Sequence, residues 1–275
     1  MKISIVTISF NQAEFVERTI KSVLAQKPGV DLEYIVIDAG STDGSRDIIE
    51  KYKEQIDKTI FEPDKGPSDG LNKGFSYAQG DIYGFLNSDD ILYPGALKAA
   101  VDFLNDHPEI DAVSGHALII DGNDQVLRKN FSQAMSLKQY AYGVCTINQP
   151  STFFRKQAFD KTKGFNKENR SNWDGELFVD MALAGAKFTT INYFMSGYRL
   201  HSVSITASKK LEASMHNYSA RIFQKIIGRP RNNTDKYLTF LYKILRWIKN
   251  PLALWERLTK GRIYGRELML SRSNK

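Results

Sequence analysis

The feature that most constrains the fold is a regular alternation of apolar runs and amphipathic stretches over the first 110 residues. Short runs rich in β-branched and aromatic residues are typical of buried strands, and a segment with helical spacing of its apolar residues follows each run. The runs are KISIVTISF, EYIVIDAG, TIFEPD and DIYGFLNSDD. Strands that alternate with helices through short connections form a parallel sheet covered on both faces. The sequence therefore predicts an α/β fold.

Polar side chains stand where each predicted strand ends. In chain order they are Thr7 and Asn11, then Asp38, then Asp64 and Lys65, then Asp89 and Asp90. Ligands of open parallel sheets bind beyond the carboxyl ends of the strands. Because these groups follow successive strands, the pattern predicts a single binding site at that edge.

The adjacent carboxylates of Asp89 and Asp90 allow two explanations. Neighbouring carboxylates repel each other and resist burial, so they need water, a cation or a positive partner. They could belong to a solvated turn that caps the next helix. They could also hold Mg2+ or Mn2+, which bind oxygen ligands and share them with substrate phosphates. The polar groups at the other strand ends favour the metal and nucleotide site.

Two common nucleotide-binding motifs are missing. The sequence has no GxxxxGK[ST] loop, which excludes a P-loop kinase or GTPase, and no GxGxxG follows a predicted strand.

The single cysteine, Cys145, can form no intramolecular disulfide and predicts a reducing compartment, the cytoplasm. The start of the chain, MKISIVTISFNQ, predicts a buried strand and not a signal peptide. No apolar run reaches the roughly 18 residues of a membrane-spanning helix.

Together these segments resemble the family 2 glycosyltransferases of bacterial surface-polysaccharide synthesis, which have the GT-A fold. The matching stretches, in family order over about residues 1–206, are SIVTISFNQAEFVERTIKSVLAQ, EYIVIDAGSTDGS, EPDKGPSDGLNKGFSYAQGDIYGFLNSDD, QPSTFFRKQAF, NWDGELFVDMALAG and YRLHSVSIT. The resemblance implies a mostly parallel central sheet flanked by helices. It also implies a catalytic domain over residues 1–220, with a nucleotide-sugar-binding half (1–110) and an acceptor half (111–220), and a helical appendage over residues 221–275.

The resemblance implies a donor site around Asn87, Ser88, Asp89 and Asp90, which stand in place of the family's DxD element. A divalent ion, Mn2+ or Mg2+, acts there as a Lewis acid on the departing diphosphate. Asp90 is expected to bind the metal, with Asp89 nearer the ribose or sharing the ion. Asn87 replaces the first acid of the commoner DSDD form. Further donor-binding residues are expected at Thr7, Ser9, Asn11, Asp38, Asp69 and Lys73, although a turn cap at Asp38 and a solvated helix face at Lys73 are structural alternatives.

Transfer also needs a base that takes the proton of the acceptor hydroxyl. The resemblance implies Asp174 as this base, with Glu176 as the second candidate, although acids also favour an ordinary helix N-terminus. Trp173 is expected to stack on an acceptor sugar, with a place in the core as the alternative. Arg199 and His201 resemble an element that closes over the donor diphosphate, where positive groups offset the charge on the leaving group.

The C-terminal part carries the positive charge of the chain. Residues 221–275 contain 14 Lys and Arg against 3 Asp and Glu (+11), whereas the first 220 residues contain 24 against 28 (−4). Residues 235–249 predict an amphipathic helix. Its apolar face comprises Tyr237, Phe240, Leu241, Ile244, Leu245 and Ile248, and its basic residues are Lys236, Lys243, Arg246 and Lys249. A second segment after Pro251 interleaves Leu252, Leu254, Trp255 and Leu258 with Arg257, Lys260 and Arg262.

This pattern predicts that residues 235–262 bind an anionic membrane surface. Docking of the apolar face on the catalytic domain or on a second subunit is the alternative. Nucleic acid is not expected, since an apolar face has no role in binding it. The sequence indicates no oligomeric state.

The function expected from the resemblance is metal-dependent, inverting transfer of a hexose or N-acetylhexosamine. The donor would be a UDP- or dTDP-linked sugar. The acceptor would be a growing, lipid-linked polysaccharide or lipopolysaccharide at the inner face of the cell membrane. Two alternatives stay open: a nucleotidyltransferase, whose basic glycine-rich loop is missing after the first strand, and a catalytically silent nucleotide- or sugar-binding protein of an assembly complex. The acids Asp89, Asp90, Asp174 and Glu176 favour the enzyme.

Overall fold

The computed structural model describes residues 1–201 and 212–261. This part of the chain forms one nine-stranded sheet with helices packed on both faces. The strands are β1 (Ile3–Ser9), β2 (Leu32–Asp38), β3 (Lys58–Phe61), β4 (Ile82–Asn87), β5 (Ile91–Leu92), β6 (Ala112–Ile120), β7 (Val126–Asn130), β8 (Thr152–Arg155) and β9 (Phe188–Arg199). The helices are α1 (Val16–Leu24), α2 (Ser45–Lys51), α3 (Pro67–Phe75), α4 (Ala96–Asp106), α5 (Leu137–Ala141), α6 (Lys156–Asp160), α7 (Trp173–Leu183), α8 (Glu212–Ile227), α9 (Asp235–Lys249) and α10 (Pro251–Lys260).

The first half of the sheet is parallel. Strands β3, β2, β1 and β4 lie side by side in that order, and each neighbouring pair runs in the same direction. Successive side chains of a strand point to opposite faces. In β1, Ile5 joins the cluster under α1 and α4, whereas Val6 joins the cluster under α3 and α7. Burial on both faces explains why these strands are apolar runs without polar alternation, and it confirms the predicted α/β class.

The second half of the sheet is mixed. Strand β8 runs antiparallel to both β4 and β6, and β9 runs parallel to β6. The short strand β5 pairs antiparallel with β9, and β7 pairs antiparallel with β6. Within the described residues, four strand pairings are parallel and four are antiparallel. The parallel arrangement expected for the central sheet therefore describes its first half. A short loop joins β6 to β7, and such a connection can only produce antiparallel neighbours.

The register of the parallel strands brings their carboxyl ends to one level. Ser9 of β1 pairs with Asp38 of β2, and Ile8 pairs with Asn87 of β4. This alignment is the reason that residues far apart in the sequence reach the same edge of the sheet.

Helix α8 runs through residue 220, where the sequence predicts the boundary between catalytic domain and tail. Tyr218 and Ile222 pack with Val179 of α7, and Phe223 packs with Tyr142, which follows α5. Packing against the catalytic part therefore continues past the expected boundary.

Residues 202–206 of the YRLHSVSIT stretch and residues 262–275 of the predicted tail lie outside the described residues. In the described ranges, every helix is too short or too polar to cross a bilayer.

Gly74 of α3 lies directly against the sheet. A Cβ atom at this position would overlap Val6 Cγ1 and would lie 3.0 Å from Ile37 Cδ1. We expect Gly74→Ala to lower the free energy of unfolding by about 1–3 kcal/mol, because the helix must move away from β1. This loss is expected to exceed the gain of up to ~1 kcal/mol in helix propensity.

Urea denaturation measures this change. Gly29→Ala is the matched control, since its Cβ would meet nothing closer than 3.7 Å. We expect the control to stay within about 0.5 kcal/mol of the wild type. Equal unfolding free energies for Gly74→Ala and wild type would contradict the tight helix–sheet packing.

Candidate active site

A cavity of about 830 Å³ opens at the carboxyl ends of β1 and β4. It is large enough for a nucleotide-sized ligand. Its walls come from the ends of β1 and β4, from the ends of β6, β7 and β9, from the first turn of α7 and from several loops. Lining segments include residues 8–10, 64–67, 87–89, 147–150 and 170–174. The site predicted from the polar strand ends is therefore present as a cavity.

Asp89 pairs with His201, which does not itself line the cavity. Asp89 lines the cavity, its side chain is 18% exposed, and its Oδ2 atom lies 3.0 Å from His201 Nε2. The His201 ring packs on Phe15, with 4.6 Å between ring centroids, which fixes the imidazole beside the carboxylate. Carboxylate oxygen and imidazole nitrogen are both ligands for divalent transition metals.

This pair fits a divalent ion that also binds the substrate. The described residues contain no cluster of three or more His, Cys, Asp and Glu side chains that could bind a metal. An ion that keeps waters and uses one or two protein side chains plus substrate phosphates needs no larger cluster. Asp89 and His201 could supply the protein ligands of such an ion.

Asp90 does not line the cavity, and its Oδ2 atom is buried without a hydrogen-bond partner among the described residues. Its carboxylate is buried, and its Oδ1 atom accepts a hydrogen bond of 2.8 Å from the backbone N–H of Arg199. Burial, together with the charge of Asp89, raises the pKa of Asp90 well above its ordinary value. The pairing of β5 with β9 brings the Arg199 amide to this position. Asp89 therefore reaches the cavity and Asp90 does not, whereas the sequence favoured Asp90 as the metal ligand.

Arg199 lies beneath Asp89 and does not close over the cavity from outside. Its side chain is fully buried and contributes to the cavity floor. Its Nε atom donates to the Asp89 carbonyl at 2.6 Å, and its Nη1 atom donates to the Asp121 carbonyl at 2.8 Å. Nη1 also forms an ion pair of 2.5 Å with Asp124, and the guanidinium lies over the Phe15 ring, 5.0 Å from its centroid. Arg199 thus holds the backbone of Asp89 in place.

Two of the predicted donor-binding residues line the cavity with free oxygens. Ser9 Oγ and Asn87 Oδ1 are buried and have no hydrogen-bond partner among the described residues. Buried polar atoms normally have partners, so these two atoms are available to a ligand. They lie at the ends of the paired strands β1 and β4.

Thr7, Asn11 and Asp38 support the site without lining it. Thr7 is buried, and its Oγ1 atom accepts a hydrogen bond of 3.1 Å from the Tyr34 hydroxyl. Asn11 adopts φ 52°, and its Oδ1 atom accepts from the Thr42 amide at 3.0 Å. Both side chains therefore bond to the framework, Thr7 in the buried sheet and Asn11 at an exposed turn.

Asp38 caps the turn that follows β2. Its Oδ1 atom accepts from the amides of Gly40 and Ser41 at 3.0 and 2.8 Å and from Arg46 Nε at 2.8 Å. Burial opposes the charged form, but Arg46 and the hydrogen bonds of Ser41 outweigh burial and lower the pKa of Asp38. The structure therefore gives Asp38 the role of a turn cap, which the sequence left open as the alternative.

Asp69 and Lys73 also lie outside the cavity wall. Asp69 accepts the Lys65 amide at 3.0 Å and forms an ion pair of 2.6 Å with Lys167, which lowers the pKa of Asp69. Lys73 pairs with Glu62 at 2.9 Å. Asp69 thus anchors the loop whose Lys65 does line the cavity.

Asp174 lies in the first turn of α7 and lines the cavity. Burial raises the pKa of Asp174 above its ordinary value, although the amides of Asp174 and Gly175 at the helix N-terminus partly offset this effect. A carboxylate with a raised pKa that faces a cavity is suited to accept a proton. Trp173, beside it, both lines the cavity and packs into the core with Leu177.

Glu176 faces the opposite direction. Its carboxylate is buried and accepts hydrogen bonds from Arg221 Nη2 at 2.6 Å, Asn169 Nδ2 at 2.7 Å and Asn166 Nδ2 at 3.1 Å. It does not line the cavity. Glu176 therefore ties α7 to α8 and to the preceding loop, and the geometry favours Asp174 as the base.

Several residues of the cavity wall were given no individual binding or catalytic role by the sequence prediction, which used Asp64 and Lys65 only as polar strand ends. They are Asp64, Lys65, Gln149, Arg170 and Tyr198. Asp64 and Lys65 stand at a predicted strand end, and Gln149 lies in a matching stretch and donates to the Phe85 carbonyl at 2.6 Å. Arg170 carries no local signal. It reaches the cavity because its loop folds onto residue 65, where its Nη1 atom donates to the Lys65 carbonyl.

Comparison with known proteins gives the family. Residues 4–166, more than half of the chain, match the model described as Glycosyl transferase family 2. The chain belongs to the family 2 glycosyltransferases. The resemblance expected from the sequence motifs is confirmed.

Relatives of this glycosyltransferase occur in several bacteria. An uncharacterized glycosyltransferase of Nostoc sp. is 31% identical over 216 residues, which cover 74% of this chain and 66% of the Nostoc protein, slightly less than two thirds of its length. The putative teichuronic acid biosynthesis glycosyltransferase TuaG of Bacillus subtilis is 34% identical over 217 residues, 75% of this chain and 82% of TuaG.

Solved structures share the fold of this glycosyltransferase. TarS of Staphylococcus aureus, in a complex with UDP-GlcNAc, superposes with a TM-score of 0.68 at 19% identity, over 94% of this chain and 74% of that one. The mannosyltransferase PcManGT of Pyrobaculum calidifontis, in a complex with GDP-Man and Mn2+, gives a TM-score of 0.63 at 18% identity, over 99% and 79%. These similarities confirm the GT-A fold.

Because Asp89 lines the cavity and Asp90 does not, substitutions of the two acids should affect nucleotide binding differently. We expect Asp89→Asn to weaken Mn2+-dependent binding of a nucleoside diphosphate at least about tenfold, or roughly 1.4 kcal/mol. Asp90→Asn should bind within about threefold of wild type, or roughly 0.7 kcal/mol, because its carboxyl does not face the cavity.

Calorimetric titration with UDP, dTDP and GDP, each with and without Mn2+, measures the effect. Circular dichroism and the melting temperature of each variant control for the fold. Loss of metal-dependent binding in Asp90→Asn, with binding kept in Asp89→Asn, would refute the assignment.

Proposed function

We propose that this protein transfers a sugar from a nucleotide diphosphate donor to a polysaccharide acceptor with inversion at the anomeric carbon. The observation that carries the proposal is the convergence of two carboxylates of different function on one cavity. Asp89 lines the cavity, and its Oδ2 atom lies 3.0 Å from His201 Nε2. Asp174 lines the same cavity and has a raised pKa. A ligand pair for a cation and a proton acceptor are the two functions that such a transfer needs.

The donor would bind at the ends of β1 and β4. Ser9 Oγ and Asn87 Oδ1 offer hydrogen-bonding positions to the nucleoside, since both are buried without a partner among the described residues. Asp89 and His201 would hold Mn2+ or Mg2+, which supplies Lewis acidity toward the diphosphate when bound. Arg199 keeps the Asp89 backbone in position through the 2.6 Å hydrogen bond to its carbonyl and places positive charge at the cavity floor.

The acceptor would bind beside α7. Its hydroxyl oxygen attacks the anomeric carbon while Asp174 takes the hydroxyl proton. The new glycosidic bond forms as the bond to the diphosphate oxygen breaks, and the nucleoside diphosphate leaves with the bonding electrons. A single displacement of this kind inverts the configuration. Trp173 offers an aromatic face at the same wall for the acceptor sugar.

We propose a UDP- or dTDP-linked hexose or N-acetylhexosamine as donor, in a metal-dependent reaction. The UDP-GlcNAc complex of TarS and the complex of the mannosyltransferase with GDP-Man and Mn2+ support a nucleotide-sugar donor and a divalent metal in this fold. We propose a growing, lipid-linked surface polysaccharide or lipopolysaccharide as acceptor, reached at the inner face of the cell membrane. The name of TuaG, which refers to teichuronic acid biosynthesis, supports a surface polysaccharide.

The contrasting environments of Asp174 and Glu176 predict contrasting variants. We expect Asp174→Asn to lower kcat by about 10²–10⁴-fold, the usual contribution of a general base, while nucleotide binding is kept. Glu176→Gln should keep kcat within about tenfold of wild type, or roughly 1.4 kcal/mol of transition-state stabilisation, and should lower the melting temperature, because Arg221 loses its charged partner.

Release of UDP from UDP-N-acetylglucosamine and UDP-glucose, with cell-envelope lipid extract as acceptor, measures kcat. Calorimetric binding of UDP with Mn2+ is the control for each variant. If Glu176→Gln were inactive while Asp174→Asn kept its activity, the assignment of the base would be reversed.

The raised pKa of Asp174 predicts the pH dependence of transfer. A general base acts in its deprotonated form, so kcat/KM should fall as the pH decreases through the pKa of Asp174. Because burial raises this pKa, the loss should begin at a higher pH than for an ordinary carboxyl group near 3.9. The pH profile of UDP release measures this, and the residual activity of Asp174→Asn should lack the acidic limb. Binding of UDP and Mn2+ over the same pH range separates this effect from a loss of donor binding.

A further inference from the structure

Helices α9 and α10 expose an unusual concentration of large apolar side chains. They carry nine of the sixteen such side chains that are exposed in the described part of the chain. The nine, which are 39–71% exposed, are Tyr237, Leu238, Phe240, Leu241, Leu245, Ile248, Leu252, Trp255 and Leu258. Single exposed apolar residues are normal, but a group of this size on consecutive helices indicates an interaction surface. We call these residues, with the basic residues between them, the α9–α10 surface.

The apolar side of α9 is not the side that docks on the catalytic part. The helix contacts the body through Asp235, which accepts a hydrogen bond of 3.0 Å from the Tyr142 hydroxyl, and through Tyr242, whose ring lies 5.3 Å from that of Tyr142. Arg246 adds a longer hydrogen bond of 3.4 Å to the Val144 carbonyl. Of the apolar face predicted from the sequence, only Ile244 is half-buried, and the other five residues are exposed. Docking on the catalytic part therefore does not account for this face.

The exposed charge of both helices has one sign. Their exposed ionisable side chains are Lys236, Lys243, Lys249, Arg257 and Lys260. Both acids turn toward the protein. Asp235 is buried and forms two hydrogen bonds of 2.8 Å with Arg229, and Glu256 accepts the backbone amide of Lys129 at 3.1 Å. The arrangement leaves a surface that is apolar and whose fully exposed charged side chains are all positive, with Glu256 half-buried.

This combination selects one kind of partner. A second copy of the same surface would bring five positive charges against five, which opposes self-association. A nucleic acid would satisfy the charge but would leave the apolar side chains in water. An anionic bilayer satisfies both, because apolar side chains enter the acyl boundary while Lys and Arg remain at the headgroups.

We propose that the α9–α10 surface binds the interface of an anionic lipid bilayer, with both helices lying along the membrane plane. This inference deepens the proposed function, since it names the surface that would bring the cavity to a lipid-linked acceptor. The surface shares no residue with the cavity wall, so its binding can be tested apart from catalysis.

Vesicle flotation tests the proposal with the full chain. Phosphatidylcholine vesicles serve as the neutral probe, and phosphatidylcholine vesicles that contain phosphatidylglycerol serve as the anionic probe. We expect the wild type to bind the anionic vesicles at least about tenfold better, a difference of roughly 1.4 kcal/mol, and to lose part of this binding as salt screens the charges. If the wild-type protein floated with neither kind of vesicle, the proposal would be overturned.

Two variants separate the apolar and the cationic contributions. Phe240→Ser/Ile248→Ser/Trp255→Ser should lose at least about tenfold in partitioning, and Lys243→Gln/Lys249→Gln should lose the preference for anionic vesicles. The control is Tyr77→Ser/Leu183→Ser, which removes two exposed apolar side chains elsewhere and should bind like the wild type. Every variant should keep calorimetric binding of UDP with Mn2+, so that a failure of nucleotide binding, which concerns the proposed function, is told apart from a failure of vesicle binding.

A measurement on the wild type needs no variant. Trp255, one of three tryptophans, is 65% exposed, so the tryptophan fluorescence should be partly quenched by vesicles that contain phosphatidylglycerol with brominated acyl chains. Absence of quenching, or undiminished flotation of the serine variant, would overturn the proposal. So would a wild-type dimer in sedimentation that becomes monomeric in the serine variant without any vesicle binding, since the surface would then serve self-association.

Discussion

The site depends on one buried guanidinium. Arg199 ends β9 beneath the cavity, and its bonds join elements that are far apart in the sequence: the Asp89 carbonyl after β4 and the loop at Asp121 and Asp124 after β6. A buried charge destabilises the folded state unless it is paired and hydrogen-bonded. Movement of these partners would leave the guanidinium unpaired, so the arginine keeps them in place. The Arg199 amide also fixes Asp90. The end of one strand thus sets the positions of both acids.

The same physical logic separates the two pairs of acids. In each pair, one carboxylate lines the cavity and the other is buried and accepts at least one hydrogen bond from the framework. Asp89 faces the cavity while Asp90 accepts a backbone amide, and Asp174 faces the cavity while Glu176 accepts from Arg221. Burial and the neighbouring charge of Asp89 together raise the pKa of Asp90, whereas burial is the main cause of the raised pKa of Asp174. Each acidic motif thus has one carboxylate that a ligand in the cavity could contact and one that holds the framework.

Much of the framework was predictable because its signals are local. The strands around Val6 and Phe85 and the helix around Ile20 follow from runs and spacings within a few residues. The grouping of polar strand ends follows from the general geometry of parallel sheets. Arg170 was not predictable, because only the folding of its loop onto residue 65 brings it to the cavity. The antiparallel second half was missed for a similar reason: β8 pairs with strands that are distant in the sequence.

By itself, the sequence determined the family, the α/β class, the position of the cavity at the strand ends and the presence of a basic amphipathic tail. These properties depend on the order and spacing of residues along the chain. Only the tertiary structure decided which acid of each pair faces the cavity, that Asp38 caps a turn and that Arg199 lies beneath Asp89. It also decided that the apolar side of α9 points outward. The direction of a side chain depends on partners from distant segments, and their positions exist only once the chain has folded.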